Sequence, residues 1–413
     1  MPLPMPKGTR AKLRAQLTES LGRSRIFSNG RINPSSVRLT EVQALIHQGS
    51  ALDKAASEFL GEQHITTFIN SELRSIVLPK EKLSIPERSL GGVFPVSLAD
   101  EIASQLISRF ESLPWPYQFY FPLPGMATQS LPFDEGSIEV APNTRLIAGW
   151  YLNNEARTSE KLSERGRPSA TEVQWIESDI YIRVDIEGYV SRDYQSDTVL
   201  QAHERIFSLL GLLVAFQILE TDYLWANGGE GRHPISISLL SNEIEPVVST
   251  LDLDSTYQTL ANDLGYASRL LKILDDSPEI ALEEVKHATS MCVDDRISSA
   301  AKWFLDSHTG NNAQVKFVQL MIAFEILLGD RQTAKETGIA NLMANRCAYM
   351  IGTSATHREM LITAFKEGYD IRSRIVHAGT SRLTHKEKVN FQILQRLCAD
   401  VIQHEAKILM AAK

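Results

Sequence analysis

The 413 residues include 42 basic and 50 acidic side chains, a formal net charge of −8, with 43% hydrophobic and 22% charged residues. This is the balance of an ordinary globular protein with room for two domains, and it excludes wholesale disorder, a collagen-like repeat and a coiled-coil rod. A globally acidic chain is not a generic nucleic-acid coat, although a local basic site remains open to it.

Residues 1–40 stand apart. Eight basic side chains there, Arg23, Arg25 and Arg38 among them, face one acid, Glu19. Prolines at positions 2, 4 and 6 predict a frayed start. The segment reads as a basic arm, either solvated, lying as a helix on the acidic body, or touching RNA phosphates. Residues 41–92 read as a helical segment and linker. Val42, Leu45, Ile46, Phe59, Leu60, Ile65, Phe68 and Ile69 recur at helical spacing. The stretch 78–92 holds two prolines and ends in two glycines, the mark of a boundary.

From 93 to 250 the pattern is mixed, and this part reads as an α+β domain. Residues 97–110 predict a helix capped by Ser97, with Asp100 at its third position. Residues 117–123 and 137–152 are rich in strand formers. In 179–190 Ile180, Ile182, Val184 and Ile186 alternate with Tyr181, Arg183, Asp185 and Glu187, which predicts a half-buried strand with a wet face. Residues 196–220 predict a buried helix. Its apolar run, Ile206 to Leu219, falls short of the roughly 20 residues of a membrane span, so no membrane partner is expected. The glycine-rich 227–234 lacks the Lys-Ser/Thr ending of a phosphate loop and reads as a turn before a last strand at 235–240. His203, Glu204 and His233 are available for a metal, but no ligand motif links them.

After residue 252 the strand signals stop. Connecting helices are predicted at 254–274 and 278–290, then a helical domain over 294–413 with helices at 294–308, 311–329, 333–352, 355–377 and 383–411. Asp275-Asp276 and Asp294-Asp295 read as helix boundaries. The fold class is α+β: a mixed α/β-sheet domain followed by an all-α bundle. Three cysteines, Cys292, Cys347 and Cys398, are too few and too far apart for a zinc knuckle or a disulfide framework. The N-terminal residues hold no apolar core of the kind a leader needs, so a reducing cytoplasm is the simplest compartment.

The segment that carries chemistry is YDIRSRIVHAG, residues 369–379. Arg372 is a permanent cation suited to phosphate, and His377, five residues on, is of the residue type that most often carries protons in catalysis. On a helix the two are offset by about 140° and one and a half turns. They reach one site if the helix end frays or if a partner supplies the other wall. Together they can cut a phosphodiester without a metal, the His moving a proton and the Arg neutralising charge on phosphate oxygens. The competing structural roles are a pairing of Arg372 with Asp370 or Glu367, and of His377 with the carbonyls of a helix end. Arg374 reads as a phosphate contact or surface residue, Ser373 as a motif-ordering hydroxyl, and Tyr369 as packing. Glu325 falls near an apolar helix face, where a carboxylate needs a partner. Arg346 and Arg372 are the candidates, with fold support through Arg346 favoured over orientation of Arg372.

In this context the segment from about 294 to 411 resembles a HEPN domain of the Apea-like group. The resemblance rests on RISSAAKWFLDSH (296–308), AQVKFVQLMIAFEILLG (313–329) with its A-x-E-x-L core, IANLMANRCAYMIG (339–352) and the YDIRSRIVHAG helix. It covers under a third of the chain. Two positions depart from the family pattern: Ala378 stands where glycine often follows the His, and Gly379 where some members carry a Tyr. The resemblance implies a metal-independent endoribonuclease needing no cofactor, a homodimer through the HEPN domain that builds one composite cleft, and Arg372 and His377 as the catalytic pair on RNA. It also implies a role in anti-phage defence or abortive infection, with the α+β domain over 93–250 either sensing a trigger ligand or protein or positioning the substrate. The alternative is a non-catalytic dimerisation or interaction module binding a protein or small ligand.

Overall fold

The computed structural model describes residues 2–78, 89–127, 136–160, 175–191, 196–221, 236–241, 249–252, 255–329, 338–379 and 382–411. The glycine-rich 227–234, His233 and most of the linker 78–92 lie outside them. The chain divides into two compact units: one of Met1–Tyr117, Ile186–Ala202 and Ser241–Pro246, the other of Gln118–Asp185, His203–Leu240 and Val247–Lys413. The mixture of helices with an antiparallel sheet agrees with the α+β class.

The first unit is helical: α1 (Lys7–Arg23), α2 (Leu39–Gln43), α3 (Ala51–Leu60), α4 (His64–Leu73), the single turn α5 (Leu90–Val93) and α6 (Val96–Glu111). Of the readings for the basic segment, the structure takes the helix lying on the acidic body, and takes it further. Leu13, Leu17 and Leu21 recur every four residues on α1 and are all fully buried, so α1 is a core helix. It packs on α6, and its cations pair with acids: Arg14 with Asp100 at 2.6 Å, and Arg10 with Glu111 at 3.2 Å. The charge count concealed a leucine stripe. The predicted cap is also corrected. Ser97 lies inside α6 and Pro95 occupies the N-cap, its ring fixing the extended entry. In the unit's core Glu72 is buried between Arg109 at 2.9 Å and the Tyr189 hydroxyl, which donates to it at 2.9 Å. A buried carboxylate is stable only with such partners.

Most of a sheet of order β2-β3-β4-β1-β6-β7 belongs to the second unit, from β1 (Trp115–Ala127), β2 (Ser137–Ala141), β3 (Thr144–Ala148), β4 (Asp179–Gly188), β6 (Ser236–Ser241) and β7 (Ser249–Asp252). The two-residue β5 (Leu219–Glu220) pairs separately with β8 (Gly265–Tyr266). β2 and β3 form a hairpin whose turn puts Asn143 at φ 57°, a conformation asparagine tolerates. The wet face expected on β4 is only partly wet. Arg183 and Asp185 pair there at 2.7 Å, but Tyr181 is buried beneath Trp175 and Tyr120. β8 interrupts the long helix expected at 254–274, leaving α9 (Ser255–Asp263) and α10 (Ser268–Asp276).

The remaining helices are α7 (Gly149–Glu160), α8 (Asp197–Ala215), α11 (Pro278–Ser290), α12 (Asp295–Asp306), α13 (Ala313–Leu328), α14 (Ile339–Ile351), α15 (Ala355–Ala378) and α16 (His385–Ala411). By length and apolar composition α8 could cross a membrane, yet 67% of that window is buried inside the protein. Asp294 caps α12, accepting from the Ile297 N–H at 2.8 Å, and Asp275-Asp276 end α10, so both acidic pairs mark helix boundaries. The expected border between a sheet domain and a helical domain near residue 250 does not divide the units. Sheet and C-terminal helices share one unit because they are bonded and packed together. The Thr289 hydroxyl on α11 donates to the Val140 carbonyl on β2 at 3.0 Å, and Gln403 on α16 donates to the Ala215 carbonyl at 2.7 Å. Gly211 of α8 lies directly on the backbone of Ala301, a crossing no side chain would permit. Leu212 and Ala215 of α8 belong to the same apolar core as Phe304, Phe324, Phe365 and Leu394 of the bundle.

Candidate active site

The motif residues lie on the last three turns of α15. Ser354 caps its start, accepting from the His357 N–H at 3.1 Å, and Gly379 ends it with φ 62°, the left-handed stop that glycine adopts most readily. Phe365, Gly368 and Ile371 face the core, with Phe365 edge-on to Phe324 of α13 at 4.9 Å. Gly368 lets α16 approach closely: a Cβ there would meet Leu394 Cδ1 at 2.4 Å. Asn390 of α16 donates to the Ala364 carbonyl at 3.0 Å and ties the two helices across this contact.

Arg372 follows the core-facing Ile371 and leans toward α13. Its Nη2 lies 3.4 Å from Glu325 Oε1, with the two side chains 23% and 29% exposed. The guanidinium also stands 5.8 Å from the Tyr369 ring centroid. The partner of Glu325 is therefore Arg372, which corrects the favoured assignment to Arg346. Arg346 donates to the Leu328 carbonyl at 2.9 Å, at the end of α13. The physical reason is facing geometry, since α15 packs against the C-terminal half of α13 through Phe324 and Phe365. Neither Asp370 nor Glu367 holds Arg372: Asp370 is exposed, and Glu367 pairs with Lys386 at 3.0 Å. The Glu325–Arg372 contact is an ion contact without hydrogen-bond alignment. Glu325 Oε1 and Arg372 Nε are both buried without a hydrogen-bond partner.

His377 is exposed in the last turn, and the helix stays regular to Ala378. The fraying that would bring Arg372 and His377 together in one chain does not occur. Five residues on an unbroken helix separate their directions by about 140°. Tyr369 is half-buried against the bundle core, and Ser373 is half-buried beside Arg372. Arg374 is exposed and ion-paired with Glu387 of α16.

Glu387 escaped the sequence reading. It and Thr384 form a capping box at the start of α16. The Thr384 N–H donates to Glu387 Oε2 at 2.6 Å, and the Glu387 N–H donates to the Thr384 hydroxyl at 3.3 Å. The Thr384 bond first, then Arg374, holds the Glu387 carboxyl below its usual range. The T-x-x-E spacing ahead of an apolar helix was the available signal. The corner between α15 and α16 is basic, with exposed Arg382, His385, Lys386 and Lys388 close in sequence to His377.

Elsewhere, His203 has its Nε2 buried without a partner, and burial lowers its pKa. Among the described residues no group of three or more His, Cys, Asp or Glu side chains is placed to hold a metal ion. One chain thus presents a seated arginine and an exposed histidine on different sides of one unbroken helix, beside a basic corner. Comparison with known proteins finds no matching family model, curated protein or solved structure.

Proposed function

We propose that the chain is a HEPN-type endoribonuclease that cuts RNA by 2′-hydroxyl attack through Arg372 and His377, in a cleft completed by a second copy of the chain. The observation that carries this reading is the fixed placement of the pair. Arg372 is oriented by Glu325 while His377 stands exposed on the next turn and a half of the same unbroken helix. Because the two residues diverge within one chain, a two-fold pairing of α15 helices is what brings Arg and His to a common phosphate. His377 takes the proton from the 2′-hydroxyl as that oxygen bonds to phosphorus. The P–O5′ bond breaks, and the departing oxygen receives a proton from the second histidine of the dimer. Arg372 neutralises charge on the non-bridging oxygens. The product is a 2′,3′-cyclic phosphate or its 3′-phosphate hydrolysis product. The cellular role we attach to this chemistry is anti-phage defence by abortive infection.

One observation favours a second reading, a non-catalytic dimerisation or interaction module. Both motif arginines are ion-paired within the chain, Arg372 to Glu325 and Arg374 to Glu387. The test is cleavage of total RNA in EDTA by the wild type, Arg372→Ala and His377→Ala, with product ends mapped. Cutting by the wild type alone, with cyclic phosphate ends, supports the nuclease. Cleavage that follows added metal and ignores His377→Ala refutes it.

A further inference from the structure

The first unit carries a groove that the ribonuclease reading does not use. It has a volume of about 400 Å³ and opens between the second half of α1, the turn at Pro34–Ser36 and the start of α2. Ligand sites commonly span roughly 300–1,000 Å³, but their walls are mostly apolar. None of the side chains lining this groove is aliphatic or aromatic. An apolar ligand or a stacked ring would find nothing to pack on, so whatever is recognised there is strongly polar.

The sign of the charge is set by three arginines, Arg23, Arg25 and Arg38, against two carboxylates, Glu19 and Glu41. Glu19 pairs with Arg23 at 2.6 Å and Glu41 with Arg38 at 3.3 Å. All four of these side chains are about half exposed or more, so water screens both pairs and either guanidinium can exchange its partner for another anion. Arg25 is exposed and has no carboxylate partner among the described residues, leaving the groove one cation in excess. Two neutral donors stand beside these cations. Asn33 uses its Oδ1 to cap the turn, accepting from the Ser35 N–H at 3.1 Å, which leaves its Nδ2 to donate. The Ser35 side chain is exposed at the same wall.

We infer that this groove binds a small phosphate-bearing ligand, a phosphomonoester or diphosphate group held by Arg25 with Arg23 and Arg38 and oriented by Asn33 and Ser35. Guanidinium groups match phosphate oxygens two at a time, which gives both affinity and orientation. The rim carboxylates Glu19 and Glu41 oppose a long polyanion laid across the opening, whereas a compact dianion sits among the three guanidiniums. The inference is independent of the chemistry at α15.

The test is calorimetric titration of the full chain with pyrophosphate, with inorganic phosphate and ribose 5-phosphate as separate arms and potassium chloride of equal ionic strength as control. Saturable binding by the wild type is expected, weakened by about tenfold or more in Arg25→Ala and in Arg38→Gln, the scale of one lost charge-assisted pair. Binding of ribose 5-phosphate rather than pyrophosphate assigns a phosphomonoester, and the reverse a diphosphate. The Arg25 side chain is exposed and has no carboxylate partner among the described residues, so Arg25→Ala should keep the wild-type circular dichroism spectrum, and Arg38→Gln provides a second reading of the same wall. No saturable binding up to about 10 mM overturns the inference, as does wild-type affinity in both variants. An oligoribonucleotide that displaces pyrophosphate and itself depends on Arg25 also overturns it, by assigning the groove to nucleic acid.

Discussion

Replacing Glu325 with Gln keeps the shape of the side chain and removes the charge facing Arg372. The two charged atoms are 3.4 Å apart, and the side chains are 29% and 23% exposed. At that distance two unit charges attract by about 5 kcal/mol at an effective dielectric of ~20 and by about 1.2 kcal/mol in bulk water. Desolvation offsets much of this. Exposed pairs contribute about 0.2–1 kcal/mol, while breaking a fully buried pair costs about 3–5 kcal/mol. The pair here lies between these cases and lacks hydrogen-bond alignment, which places its coupling at about 1–2 kcal/mol. A double-mutant cycle of Glu325→Gln, Arg372→Gln and the double variant, read by urea unfolding, measures that coupling directly. Under the proposed nuclease reading, Glu325→Gln slows RNA cleavage, and adding it to Arg372→Gln slows it no further. A coupling below about 0.3 kcal/mol, within the additivity error of such cycles, would refute the argument that Glu325 seats Arg372.

Two further outcomes follow from the packing and the charges. Gly211→Ala places a Cβ 2.0 Å from the Ala301 carbonyl oxygen, so α8 and α12 must part. The expected loss is about 1–3 kcal/mol, visible as a lower Tm, and an unchanged Tm would show that the crossing is not tight. The Glu387 carboxyl, held below its usual value of 4.5, contributes stability that is full above pH 4.5 and is lost as pH falls through its folded-state value. Glu387→Gln should therefore be less stable than the wild type at neutral pH and show a shallower loss below pH 4.5. Acid-unfolding profiles that run parallel would count against this role.

The helical half of the fold is legible because its signals are local. Asp294, Asn312 and Ser354 cap helices whose apolar residues recur at helical spacing, and the predicted bounds fall within a few residues of the observed ones. The division into units is not legible, since it depends on contacts such as Gly211 on Ala301, ninety residues apart in the chain. The core role of α1 was hidden for a different reason. A window count of charge averages over the helix and loses Leu13, Leu17 and Leu21, which occupy a single stripe. At the site, the motif spacing located Arg372 and His377 on one helix. The partner of Glu325 was ambiguous because sequence position does not say which arginine faces α13. The Glu72, Arg109 and Tyr189 cluster had no local signal, because Tyr189 reaches Glu72 across 117 positions.

The two thiols inside the bundle give the protein a built-in record of its own opening. Cys347 and Cys398 are fully buried; burial pushes the first thiol up to about 12, and burial together with the neighbouring Cys347 holds the second well above the usual thiol range. Neither offers a thiolate to oxidants or alkylating agents while α14 and α16 stay packed. Each modification that accumulates on them therefore counts an excursion in which the bundle has come apart. The rate of labelling reads the free energy of that excursion in the same way that slow amide protons do. Oxidation of these two thiols is thereby tied to the stability of the bundle as well as to the oxidant around it.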